Sequence, residues 1–187
     1  MPDIKILSLN NMPQRCKEMK HFMANHFPDK VGVLNFNKCS TMNSRLEFYF
    51  DELMEVSQRV IGELYIHNFE VSQAHLVSLL SANKHKQIFG LLDCKLDLSS
   101  VPDFGGRLAG SRIRCLDLSS SGGFSCCNWN YNVKDFENLI VGLSQEEDFL
   151  KNLQIIKMSE CGMEKDVVEE ILDDHGFLHV EIHGHSK

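Results

Sequence analysis

The strongest constraint on this chain is that it resembles itself. Residues 31–39 and 153–161 share the pattern apolar-x-x-apolar-x-apolar-x-x-Cys, carried by Val31, Leu34, Phe36 and Cys39 in one and by Leu153, Ile156, Met158 and Cys161 in the other. Further matches end at Met12, Phe69, Cys94, Ser121 and His185, so the anchors are spaced by 27, 30, 25, 27, 40 and 24 residues. Self-similarity of this period means that each unit is one supersecondary element unable to bury its apolar face alone, and that units stack.

Seven units align into three columns. The first reads Ile4, Val31, Ile61, Lys86, Ile113, Leu153, Phe177; the second Leu7, Leu34, Leu64, Phe89, Leu116, Ile156, Val180; the third Leu9, Phe36, Ile66, Leu91, Leu118, Met158, Ile182. Only Lys86 is not apolar. Each unit opens with strand-like alternation, and its second half shifts towards a period of 3.6. Leu46, Tyr49, Phe50, Leu53, Val56 and Val60 trace one helical face, Leu76, Leu79 and Leu80 another, and Val167, Val168, Ile171 and Leu172 a third. Gly176 suits a left-handed helix stop, and Ser144 with Glu147 has the form of a capping box. Pro102, Gly105 and Gly106 should make the helix of the fourth connection the least regular.

The units resemble leucine-rich repeats, whose strand signature is L-x-x-L-x-L-x-x-N/C-x-L. Cys39, Cys94 and Cys161 stand at the N/C position, while Met12, Phe69, Ser121 and His185 depart from it. The unit lengths are similar to those of the ribonuclease-inhibitor-like class. The resemblance implies an α/β solenoid of about seven units over residues 1–187, a horseshoe with parallel strands on its concave face and helices on its convex face. Strands stack about 4.8 Å apart and helices about 8–10 Å apart, so such a ladder must curve.

In that arrangement the residues between the apolar columns project onto the concave face. Its centre joins Tyr65 and His67 to Ile88 and Leu92, with Cys115, Asp117 and Lys157 beside them. An apolar or aromatic centre within a polar rim suits a protein interface. The longest unit supplies a second candidate, the loop 119–132 with Phe124, Trp129 and Tyr131, whose aromatics either tuck over the repeat edge or stand out as anchors. The Cys126-Cys127 pair lacks the spacing of a zinc knuckle, so no metal site is expected there. Cys39, Cys94 and Cys161 are expected to fill turns.

Nucleotide-loop, zincin and nucleophile-elbow motifs are missing from the sequence. The expectation is a non-catalytic protein-interaction module with no cofactor. The alternative is an architectural subunit or regulatory terminal domain that packs by its ends, because strand character runs from Ile4 to His183 with little left to cover either end. A net charge of −7 disfavours nucleic acid as the partner. No run of about 18 apolar residues predicts membrane insertion, and seven cysteines without framework spacing favour the cytoplasm.

Overall fold

A computed structural model describes residues 4–10, 21, 25–37, 50–120 and 131–184. Along the chain run β1 (Ile4–Asn10), β2 (Val31–Asn37), α1 (Phe50–Ser57), β3 (Val60–His67), β4 (Glu70–Ser72), α2 (Gln73–Asn83), β5 (Ile88–Leu92), β6 (Lys95–Asp97), β7 (Cys115–Asp117), α3 (Val133–Ser144), α4 (Glu147–Asn152), β8 (Ile155–Lys157), α5 (Lys165–Asp174) and β9 (Glu181–His183). Seven strands make one sheet in the order β1-β2-β3-β5-β7-β8-β9, and every neighbouring pair is parallel. The order follows the chain, and β1 and β9 end the sheet on opposite sides, so it does not close into a barrel. Parallel neighbours require crossovers, and the helices supply most of them. A second parallel pair, β4 with β6, which the repeat pattern did not disclose, lies just beyond the C-terminal ends of β3 and β5.

The apolar columns become the core. Leu34, Leu64, Phe89, Leu116 and Ile156 are partners across successive strands and are at most 1% exposed. Helix side chains at helical spacing complete this core: Phe136, Leu139, Ile140 and Leu143 from α3, and Val168, Ile171 and Leu172 from α5. Asn132 caps α3 by accepting from the Lys134 N–H, and Gly176 takes the expected left-handed conformation after α5.

The strand ends repeat a further device. Asn68, Asp93 and Glu160 all have positive φ, at 63°, 50° and 52°, and each immediately precedes a buried residue, Phe69, Cys94 and Cys161. Few side chains tolerate this conformation, Asn and Asp best among them. The reversal drops the next side chain under the sheet. Cys94 there directs its thiol to the carbonyls of Ile66 and Leu92 at 3.4 Å, and burial pushes its pKa up to about 12.

Four details of register and capping differ from the sequence pattern. An irregularity places Val60 opposite Val31 and Glu63 opposite Val33, so Val60 takes the inward place and Ile61 is 63% exposed. In the last unit Ile156 pairs with Ile182 rather than Val180, because a turn at 177–180, closed by the Val180 N–H on the Phe177 carbonyl, delays the strand. Lys86, the polar member of its column, is nevertheless fully buried, with its ammonium donating to the Ser57 carbonyl at 2.9 Å. No capping box forms: Ser144 closes α3 by donating to the Val141 carbonyl, and Glu146 occupies the cap of α4 without capping it by its side chain.

The Glu146 carboxylate is used elsewhere. The fourth connection contains no helix between β6 and β7 but a run of turns at 105–110. Glu146, 6% exposed, accepts from the Gly106 N–H at 2.8 Å and the Leu108 N–H at 3.0 Å, and Asp148 accepts from the Gly110 N–H. Charge-assisted bonds of this kind fix irregular backbone where no helix does so. Gly142 of α3 lies so close to the Pro102 carbonyl that a Cβ would be 2.6 Å from its oxygen, which locks the start of this connection onto the helix.

Candidate functional site

The sheet register sorts the outward side chains into rows. One runs Val33, Glu63, Ile88, Cys115, Ile155, Glu181; the next runs Ser8, Asn35, Tyr65, Gly90, Asp117, Lys157, His183. A third holds Asn37, His67 and Leu92. Tyr65, His67, Ile88, Leu92 and Lys157 are all partly exposed, and the structure brings them onto one face as expected.

Gly90 gives this face its relief. Without a side chain at that position the Tyr65 ring leans over β5, where a Cβ on Gly90 would collide with it. The phenol donates to Glu63 Oε2 at 2.9 Å. Burial, then the bond to Glu63, raise the Tyr65 pKa well above that of a free phenol, so the ring acts as a neutral donor. The His67 ring lies 6.5 Å from that of Tyr65. Its Nε2 is buried and has no hydrogen-bond partner among the described residues. Burial lowers the His67 pKa, opposed by the carboxylates of Asp93 and Asp117, so the imidazole is held neutral.

Cys115 and Asp117 belong to the same rows but are 5% and 6% exposed, against the expectation that they stand out with the rest. Local chemistry explains it. Asp117 turns back to accept from the Ser119 N–H at 3.1 Å, and the Lys157 ammonium lies 3.8 Å from its other oxygen. Burial raises the Cys115 pKa, against the pull of Lys157, which leaves a protonated and weakly nucleophilic thiol. His67 is on β3 and Cys115 on β7, two strands apart, so roughly 10 Å of lateral spacing separates them and no Cys–His pair forms.

Two acids, one beside Tyr65 and one beside His67, were not among the expected site residues. Glu63 holds the Tyr65 hydroxyl, and Asp93, 6% exposed, accepts from Ser120 Oγ at 2.8 Å. The available signal for Asp93 was its place immediately before Cys94, the left-handed position of its unit.

The loop candidates divide. Tyr131 is buried, 5% exposed, with its hydroxyl on the Leu91 carbonyl at 2.6 Å and its N–H on the Cys161 carbonyl, so it is a structural tie and not an exposed anchor. Phe124 and Trp129 lie outside the described residues, as do Cys39, Cys126 and Cys127. Among the described residues no group of three His, Cys, Asp or Glu side chains is placed to hold a metal ion, and no helix is long and apolar enough to cross a membrane. No protein-family model matches the chain, and no curated protein matches it.

Proposed function

We propose that this chain is a leucine-rich-repeat solenoid of the ribonuclease-inhibitor-like class and that it acts as a non-catalytic, cytoplasmic protein-interaction module. The parallel sheet in chain order, the apolar columns and the recurring left-handed residues at Asn68, Asp93 and Glu160 support the repeat reading. The buried unpaired thiols of Cys94, Cys115 and Cys161 are compatible with a reducing compartment.

One observation carries the functional reading. At the centre of the sheet's outer face, Tyr65, His67, Ile88 and Leu92 form a partly exposed aromatic and apolar patch beside the buried, unsatisfied Nε2 of His67. A tyrosine within a dry, packed centre is the residue type on which interfaces concentrate their energy. Photo-crosslinking amino acids placed at 65 and, on the exposed surface of α5, at 169 test this in a cell extract. Adducts to one partner at 65 and not at 169 are expected. Adducts at 169 with none at 65 would sink the reading.

A second reading, an architectural subunit that packs by its ends, has its own observation. Beside β9, Leu178 is 76% exposed, and Val180 and Ile182 are only partly covered. Crosslinks from position 178 instead of 65 would favour it.

A further inference from the structure

We propose that Arg112 and Arg114 form a second binding surface, for an extended acidic segment of a partner protein that carries Asp or Glu at alternate positions. The surface is distinct from the Tyr65 face and does not depend on it.

Three of the six arginines of this acidic chain fall within the eight residues from 107 to 114. All three are exposed, and none forms an ion pair among the described residues. Two carboxylates packed on this segment are already committed, Glu146 to the N–H groups of Gly106 and Leu108, and Asp148 to that of Gly110. Lys84 adds a further fixed cation: its ammonium donates to the carbonyls of Arg107 and Ala109, and its own carbonyl accepts from the Arg112 N–H at 2.7 Å. Burial, followed by the charges of Lys86 and Arg112, lowers the His85 pKa.

The backbone that presents the arginines is held on both sides. Arg114 donates its N–H to the Gln87 carbonyl and accepts from Gln154 and Ile155. Burial alternates along 111–114, with Ser111 and Ile113 inside and Arg112 and Arg114 outside. Two guanidinium groups therefore project from the same side, two extended residues apart, which is roughly 6.6 Å. Alternate side chains of an extended acidic peptide repeat at the same interval. A planar guanidinium also meets a carboxylate through two parallel hydrogen bonds. The chain's net charge of −7 repels long polyanions, so a short acidic segment fits this local patch better than nucleic acid does.

The test is fluorescence anisotropy with a labelled peptide of alternating Glu and Ser, and a Gln-Ser peptide as control. The Glu peptide should bind, more weakly as salt rises, and the Gln peptide should not. Arg112→Gln with Arg114→Gln should weaken binding roughly tenfold, and the double Lys replacement should restore only part of it, because the charge returns without the fork. Tyr65→Ala should leave peptide binding unchanged. Circular dichroism confirms that each variant folds, which exposed positions permit. Equal binding by the Arg112→Gln, Arg114→Gln protein, or loss of binding in Tyr65→Ala, overturns the proposal. So does displacement of the peptide by a single-stranded RNA of equal charge at lower concentration. The concave-face reading is judged separately by the crosslink at position 65.

Discussion

The Tyr65 ring occupies the space above Gly90 that a side chain on β5 would otherwise fill. The pair sets the shape of the proposed concave surface, since the missing Cβ of one residue is the seat of the other. Gly90→Ala should displace the ring and weaken partner binding much as Tyr65→Ala does, by about 2 kcal/mol or more for an anchor of this type. Affinity for the partner crosslinked at position 65 is the measurement. Normal affinity in both variants would remove Tyr65 from the interface.

Leu64 is fully buried and is flanked by Leu34 and Phe89 on the adjacent strands. Leu64→Ala should cost about 2–5 kcal/mol through lost burial and the cavity left behind. Urea denaturation reads this directly, and a change near zero would place Leu64 outside the core.

The core was legible because an apolar residue recurs at fixed offsets in every unit, which is why Leu34, Leu64, Leu116 and Ile156 could be placed from period alone. Ile61 could not. Val60 and Ile61 are both apolar, and an irregularity in pairing chooses between them. In the last unit Leu178, Val180 and Ile182 alternate equally well in either register, so a two-residue slip leaves no trace in the pattern. The burial of Asp117 depends on Ser119 and on Lys157, forty residues away, and the fate of Glu146 depends on the turns at 106 and 108. Contacts of that range are set by tertiary packing, which local periodicity does not encode.

Lys86 gives a pH dependence of definite sign. Burial lowers its folded pKa to about 8, below the roughly 10.4 of an unfolded lysine. The fold thus favours the neutral amine, the penalty is complete below about pH 8, and stability is regained as pH rises from about 8 to about 10.4. Lys86→Met removes this term. Denaturation of both proteins across that range should show the difference in stability, native protein minus variant, growing more favourable to the native protein with pH. A flat difference would mean that Lys86 stays charged and solvated.

Glu146→Gln leaves one acceptor in place but removes the charge that holds Gly106 and Leu108. The expected loss is about 1–3 kcal/mol, felt first in the turns at 105–110. Trypsin should then cut after Arg107 sooner than in the native protein under folded conditions. Unchanged cleavage kinetics would show that these turns are held without Glu146.

The ties on either side of residues 121–130 have a consequence for how the chain tolerates change. Ser120 donates its N–H to the Ser159 carbonyl at 2.7 Å, and Tyr131 is fastened to Cys161 and Leu91. Ser120 and Tyr131 thus add two ties to the unit of β8, beyond the three-residue pairing of β7 with β8. Loosening either tie would therefore act on the joint between neighbouring units and leave the apolar columns themselves intact.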